Sequence, residues 1–180
     1  QSPVVVPTLN VAGWFDVEDH VGAFEAYKKY EQGDVRGINK LVVGPWYHGG
    51  WTYSDGRTLG AVDFGSDTSR YYREKVEAPW FAHWLKGKPA PNLPNVLSFR
   101  TGTNQWQRYD SWPPKTGITE AKLYLHAAGM LSFEPPGDGP GAHDHYVSDP
   151  GKPVPYVPRP ITRNGSPVGT RLSRKDGLIA

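Results

Sequence analysis

Three observations predict an α/β architecture with a parallel sheet, followed by an antiparallel β-portion. Two short apolar runs, residues 8–15 and 39–44, flank a segment with helical spacing. A longer amphipathic segment follows at residues 69–85. Beyond about Lys88 helical periodicity disappears, and short strand-like runs alternate with Gly/Pro turn signals. Strand, helix, strand is a βαβ unit, whose sheet is parallel and covered on both faces. Runs of short strands after it make a separate antiparallel unit. The division falls between residues 1–88 and 89–180.

Each element has a local reason. Residues 8–15 are apolar, bounded by Pro7 before and acids after, and read as a fully buried strand. Residues 22–32 read as a helix. Ala23, Ala26, Tyr27 and Tyr30 recur at roughly helical spacing, and Lys28 and Lys29 sit in the later turns, where the dipole favours cations. Gly33 stops it. Residues 39–44 (Asn-Lys-Leu-Val-Val-Gly) form the second apolar strand, followed by Pro45-Trp46-Tyr47-His48-Gly49-Gly50-Trp51. In residues 69–85, Tyr72, Val76, Trp80, Phe81 and Trp84 make an apolar stripe. Pro79 inside that stripe predicts a kink or a split, and Gly87 and Pro89 end the helix. The strands expected next are 96–101, 105–109, 121–126 and 130–133. Residues 135–141 and the prolines from Pro150 to Pro160 read as loop or extended chain. Both ends read as interruptions, so a segment of a longer protein is expected. Val4-Val5-Val6-Pro7 runs straight into a strand, and Gly177-Leu178-Ile179-Ala180 has no terminator.

Composition excludes several function classes. Twenty basic and 18 acidic residues give a net charge of +2, with no footprint for nucleic acid or another polyanion. The absence of cysteine excludes disulfides, Cys-ligated zinc and a thiol nucleophile. No apolar run approaches the ~20 residues of a membrane span. Seven Trp and ten Tyr supply aromatic packing surface or sites for sugar-like or aromatic ligands.

The chemistry concentrates at the ends of the two apolar strands. The first runs into Asp16-Val17-Glu18-Asp19, three carboxylates within four residues. Clustered carboxylates repel one another and resist desolvation, so such a cluster points to a bound cation or to work for one of its members. In an open parallel sheet, functional groups lie just past the carboxyl ends of strands. Asp16 follows one strand and His48 lies four residues beyond the end of the other. Adjacent strands thus deliver an acid and an imidazole to one sheet edge. An acid at His Nδ1 fixes the tautomer and leaves Nε2 to deprotonate a hydroxyl nucleophile.

Asp followed by His is the second half of the hydrolase order Ser…Asp…His. None of the ten serines (Ser2, Ser54, Ser66, Ser69, Ser98, Ser111, Ser132, Ser148, Ser166, Ser173) sits in Gly-x-Ser-x-Gly, and only Ser2 precedes the acid. Either the nucleophile lies outside this chain or the hydrolase reading fails. Taken singly, the bland readings win: a strand-end Asp is commonly a turn residue, and Glu18 and Asp19 suit the start of a helix. The joint placement of acid and base favours function.

At these residues the chain resembles the α-amino acid ester hydrolases and the related glutaryl-7-aminocephalosporanic acid acylase-like, cocaine-esterase-like and X-prolyl dipeptidyl peptidase enzymes. The resemblance is carried by residues 7–19 (Pro-Thr-Leu-Asn-Val-Ala-Gly-Trp-Phe-Asp-Val-Glu-Asp) and by Gly44-Pro45-Trp46-Tyr47-His48-Gly49-Gly50. Phe64-Gly65-Ser66-Asp67 and residues 80–87 support it, and Asn104-Gln105-Trp106 and residues 146–150 fit the group's jelly-roll domain.

The resemblance implies the C-terminal part of an α/β-hydrolase domain over 1–88 and the start of a jelly-roll β-sandwich over 89–180. It implies that Asp16 is the triad acid and His48 the triad base. Glu18 and Asp19 match two of three carboxylates that hold a substrate's α-ammonium group. The third carboxylate, the serine and an oxyanion-hole tyrosine lie upstream in that family. The implied substrates are α-amino acyl esters or β-lactam amides, with no cofactor and no catalytic metal. The resemblance also implies a periplasmic or secreted homo-oligomer, to which the remainder of the same polypeptide is joined. By itself the 180-residue chain is expected to be inactive.

Other residues carry weaker signals. Trp14, Trp46, Tyr47 and Trp51 are candidates for the acyl pocket, with core packing the better reading for at least half of them. His20 reads as a solvated helix-start residue, and His143-Asp144-His145 as solvated loop, with weak metal binding second. His83 and His126 carry no motif. Two rival functions remain: a general carboxylesterase or glutaryl-type acylase, and a non-catalytic module whose aromatic β-domain binds a ligand such as carbohydrate.

Overall fold

The computed structural model describes residues 3–137 and 145–152. Its centre is a four-stranded sheet in the order β1 (Thr8–Gly13), β2 (Asn39–Gly44), β5 (Val96–Arg100), β6 (Gln105–Tyr109). β1 runs parallel to β2 with Thr8 opposite Asn39 and Gly13 opposite Gly44, so the two strands end level. β1 is buried only at Ala12 and Gly13. The full burial expected of it is not realised, because among the described residues it is the outer strand and pairs along one edge only.

Helices cover both faces. Leu41 and Val43 of β2 turn toward α1 (His20–Glu31), where Phe24 and Tyr27 close one core cluster with Ala12 and Val96. Phe24, rather than Tyr30, completes the buried face of α1, and Tyr30 stays 45% exposed. Val42 and Leu97 turn the other way and pack on Trp46, Tyr72 and Val76. Each large side chain so buried contributes about 1.5–3 kcal/mol.

The long amphipathic segment divides as Pro79 requires. α3 (Thr68–Tyr71) passes into a π-helical turn (Tyr72–Glu77), then into α4 (Ala78–Lys86). Proline has no N–H to donate and its ring crowds the carbonyl four residues back, and the wider turn relieves both. Gly87 caps α4 in the left-handed region at φ 63°.

β5 corrects the sequence reading. Residues 96–101 were expected to open an antiparallel unit. Instead β5 lies parallel to β2, with Leu41 opposite Val96 and Val43 opposite Ser98. β6 then adds antiparallel to β5 as the far edge. The sheet therefore runs past residue 88, where the second unit was expected to begin. Two small antiparallel pairs lie outside this sheet: β3 (Thr58–Leu59) with β4 (Val62–Asp63), and β7 (Tyr124–His126) with β8 (Met130–Ser132). A four-residue helix, α2 (Gly50–Tyr53), follows β2.

Candidate active site

The site is built where β1 and β2 end. Pairing continues past both strands: the Trp14 amide donates to the Gly44 carbonyl at 2.9 Å, and the Phe15 amide to the Trp46 carbonyl at 3.0 Å. Two loops leave the sheet side by side, one carrying Asp16 and the other His48. The Asp16 amide turns back to the Gly13 carbonyl at 3.1 Å, which starts the acidic loop. Asp16 Oδ1 then accepts the backbone amides of Glu18 at 2.9 Å and Asp19 at 3.1 Å. On the other loop, Arg73 of the π-helical turn donates to the carbonyls of Trp51 and Ser54 at 2.7 and 2.8 Å, holding α2 behind His48.

Asp16 is buried, with its side chain 3% exposed, and its carboxylate faces His48 Nδ1 at 3.1 Å (Oδ2) and 3.3 Å (Oδ1). Burial alone would raise the Asp16 pKa. The two backbone amides and the imidazole outweigh it and hold the carboxyl below its usual value of 3.8. Asp16 is therefore ionised at neutral pH and orients the ring. Glu18 Oε2 stands 3.3 Å from His48 Nε2, and Asp19 Oδ2 stands 3.9 Å from Nδ1. All three carboxylates thus converge on one imidazole. Among the described residues no Lys or Arg forms an ion pair with any of them. Asp19 occupies the N-cap position of α1 but makes no side-chain capping bond, so its carboxylate is left to the site. Beside these groups lies an open cleft of about 280 Å³, lined by Val11, Asp19, Gly22, Ala23, His48 and Trp51. Among the described residues no group of three or more His, Asp and Glu side chains is arranged to hold a metal ion.

Two solved structures are similar to the chain as a whole. One, titled "alpha-amino acid ester hydrolase labeled with selenomethionine", superposes with a TM-score of 0.78 and 42% identity over 89% of this chain. Over most of its length the chain is similar to a part of that protein. An aminopeptidase from the marine sediment archaeon Thaumarchaeota archaeon is similar at 42% identity, with a TM-score of 0.79 over 94% of this chain. The chain spans 27% and 28% of those two proteins. No protein-family model matches the chain, and no curated protein does.

The cleft is lined by Trp51 rather than by Trp14, Trp46 or Tyr47. Trp14 packs among Phe24, His20 and Trp112 and donates its indole N–H to the Phe99 carbonyl at 2.9 Å. Trp46 is 2% exposed and donates to Thr68 Oγ1 at 2.9 Å. Tyr47 packs on the Leu59, Phe64 and Phe99 cluster. Burial and the neighbouring Tyr53 push its phenol up to about 12, so it stays protonated at neutral pH. His20, expected in solvent, lies with its ring against Trp14 and Phe24. His143 and Asp144 lie outside the described residues. Val11, Gly22, Ala23 and Arg73 entered the site without a sequence signal strong enough to name them, although paired small residues at a helix start leave room for a cleft.

Proposed function

We propose that this chain is part of a serine hydrolase that acts on α-amino acyl esters, with β-lactam amides as further acyl substrates. Asp16 and His48 are its acid and base. The reading is carried by one observation: a buried, ionised Asp16 on His48 Nδ1 at the level ends of adjacent parallel strands, within a chain 42% identical to a solved α-amino acid ester hydrolase. The nucleophile lies outside this chain. Among the described residues no serine hydroxyl is hydrogen-bonded to either His48 nitrogen. His48 Nε2 accepts the nucleophile's proton as the serine oxygen attacks the ester carbonyl, then returns it to the departing alcohol. Water enters by the same route in reverse and releases the acid. Glu18 and Asp19 hold the substrate's ammonium, which offers three donors and a positive charge to clustered carboxylates. Past β6, the chain leads into a jelly-roll β-domain.

The test compares a neutral ester with its α-amino counterpart in the full-length polypeptide. Wild type should prefer the amino ester, and Asp19→Ala should lose that preference while still turning over the neutral one. Equal losses on both esters would remove the carboxylates from substrate recognition. The archaeal aminopeptidase neighbour favours a second reading with the same acyl specificity, an amide bond cleaved and an amine leaving group. Turnover of aminoacyl amides above esters would select it.

A further inference from the structure

The position of Glu18 bears on more than recognition. Its Oε2 lies 3.3 Å from Nε2, the nitrogen that must face the nucleophile. Asp16 and Asp19 face the other nitrogen, Nδ1. With the Nδ1 proton directed at Asp16, an unprotonated Nε2 would turn its lone pair toward a carboxylate. The contact is attractive only when Nε2 also carries a proton. An imidazole protonated on both nitrogens has no lone pair with which to accept a proton. Glu18 therefore covers the nitrogen that must accept the nucleophile's proton, and it stands where the nucleophile must approach.

We propose that Glu18 is a ligand-released cap on His48: a primary ammonium entering the cleft draws Glu18 off Nε2 and frees the base. The proposal rests on the reading of Asp16, His48 and the carboxylates given above. Three features support it. His48 is the only basic side chain paired with Glu18 among the described residues, so an ammonium competes with one partner alone. The side chains of His48 and Glu18 are 43% and 42% exposed, so the contact is weak enough to exchange. Asp16 keeps its hold on Nδ1 from a buried position while Glu18 moves. A neutral acyl group leaves the cap in place, so discrimination acts on turnover as well as on binding.

The experiment measures kcat of the full-length polypeptide on a neutral ester, phenylacetic acid methyl ester, with methylammonium chloride or tetramethylammonium chloride at equal ionic strength. The second salt carries the charge without N–H donors. Methylammonium should raise kcat about two- to fivefold, the size expected for loss of a half-exposed ion pair. Glu18→Gln should show a similar rise without any salt and no further response to methylammonium. An unchanged kcat in wild type with methylammonium, or a Glu18→Gln kcat at or below wild type, overturns the cap. Activation that persists in Glu18→Gln comes from amine attack on the acyl group and also overturns it. These failures are separable from failure of the underlying reading, which shows as no preference of wild type for the α-amino ester.

Discussion

Gly13 lies directly beneath the carbonyl of Trp46: a Cβ at position 13 would run into that oxygen. The approach is what allows the Phe15 amide to reach the same carbonyl and bring the Asp16 loop beside the His48 loop. Gly13→Ala must push the two strand ends apart. We expect a loss of about 1–3 kcal/mol, because rigid backbone on both sides cannot give way. The urea midpoint reports it. A change below about 0.5 kcal/mol would mean that the strand ends separate freely.

Asp16 does two jobs with its two oxygens, and asparagine separates them. The Asn side-chain carbonyl can still accept the amides of Glu18 and Asp19, so the acidic loop keeps its turn. Its NH2 group then faces His48 Nδ1 and stabilises the tautomer with the proton on Nε2, the wrong one for a base. Asp16→Asn should lower kcat of the full-length polypeptide by on the order of a thousand- to ten-thousandfold on neutral and amino esters alike. Asp16→Ala should in addition lose stability. Turnover of Asp16→Asn within tenfold of wild type removes Asp16 from the acid's role.

Thr68 is fully buried and uses its hydroxyl twice. Oγ1 accepts the Trp46 indole N–H at 2.9 Å and donates to the Gly56 carbonyl at 2.6 Å. Valine has nearly the same shape and neither capacity. Thr68→Val leaves one buried donor and one buried acceptor without partners, at a cost of about 2–4 kcal/mol. Thr68→Ser keeps both bonds and loses only a methyl, so it should cost about 1 kcal/mol. Similar midpoints for the two variants would show that shape, not the hydroxyl, matters here.

Much of this arrangement was legible in the sequence, for local reasons. Residues 39–44 match β2 because a short apolar run between polar loops can only be a covered strand. Asp16 and His48 could be named because strand ends fix where the next residues emerge. β5 shows the limit. Its five residues look alike whether the partner is parallel or antiparallel, and that partner, β2, lies some fifty positions back. The near-continuous apolar run Val96-Leu97-Ser98-Phe99 was the available signal, since central parallel strands are covered on both faces. The contact of Glu18 with Nε2 was not legible at all. Loop side chains follow no period, and this one takes its direction from the turn that Asp16 Oδ1 builds.

Acid should weaken the fold through two carboxylates far apart in space. Asp34 closes the loop between α1 and β2: Oδ1 accepts the amides of Arg36 and Ile38, and Oδ2 accepts that of Asn39 at 2.7 Å. Burial would raise its pKa, but these three amides and the Lys40 ammonium together hold it below 3.8, as the loop amides and His48 do for Asp16. The sign follows from linkage. The unfolded chain takes up these protons first, so their stabilisation is complete well above pH 3.8 and is lost as pH falls through the lower folded-state values. Asn39 itself is fully buried and bonds to the Tyr27 carbonyl at 3.0 Å, which ties the same loop to α1. Asp34→Asn keeps one acceptor oxygen but turns an NH2 toward the Asn39 amide, and should cost about 1–3 kcal/mol at pH 7. Urea midpoints of wild type and Asp34→Asn at pH 7, 5, 4 and 3 should converge as the pH falls, because protonation removes from wild type what the substitution has already removed. A gap that stays constant across that range would mean that the bonds, and not the charge of Asp34, carry its contribution.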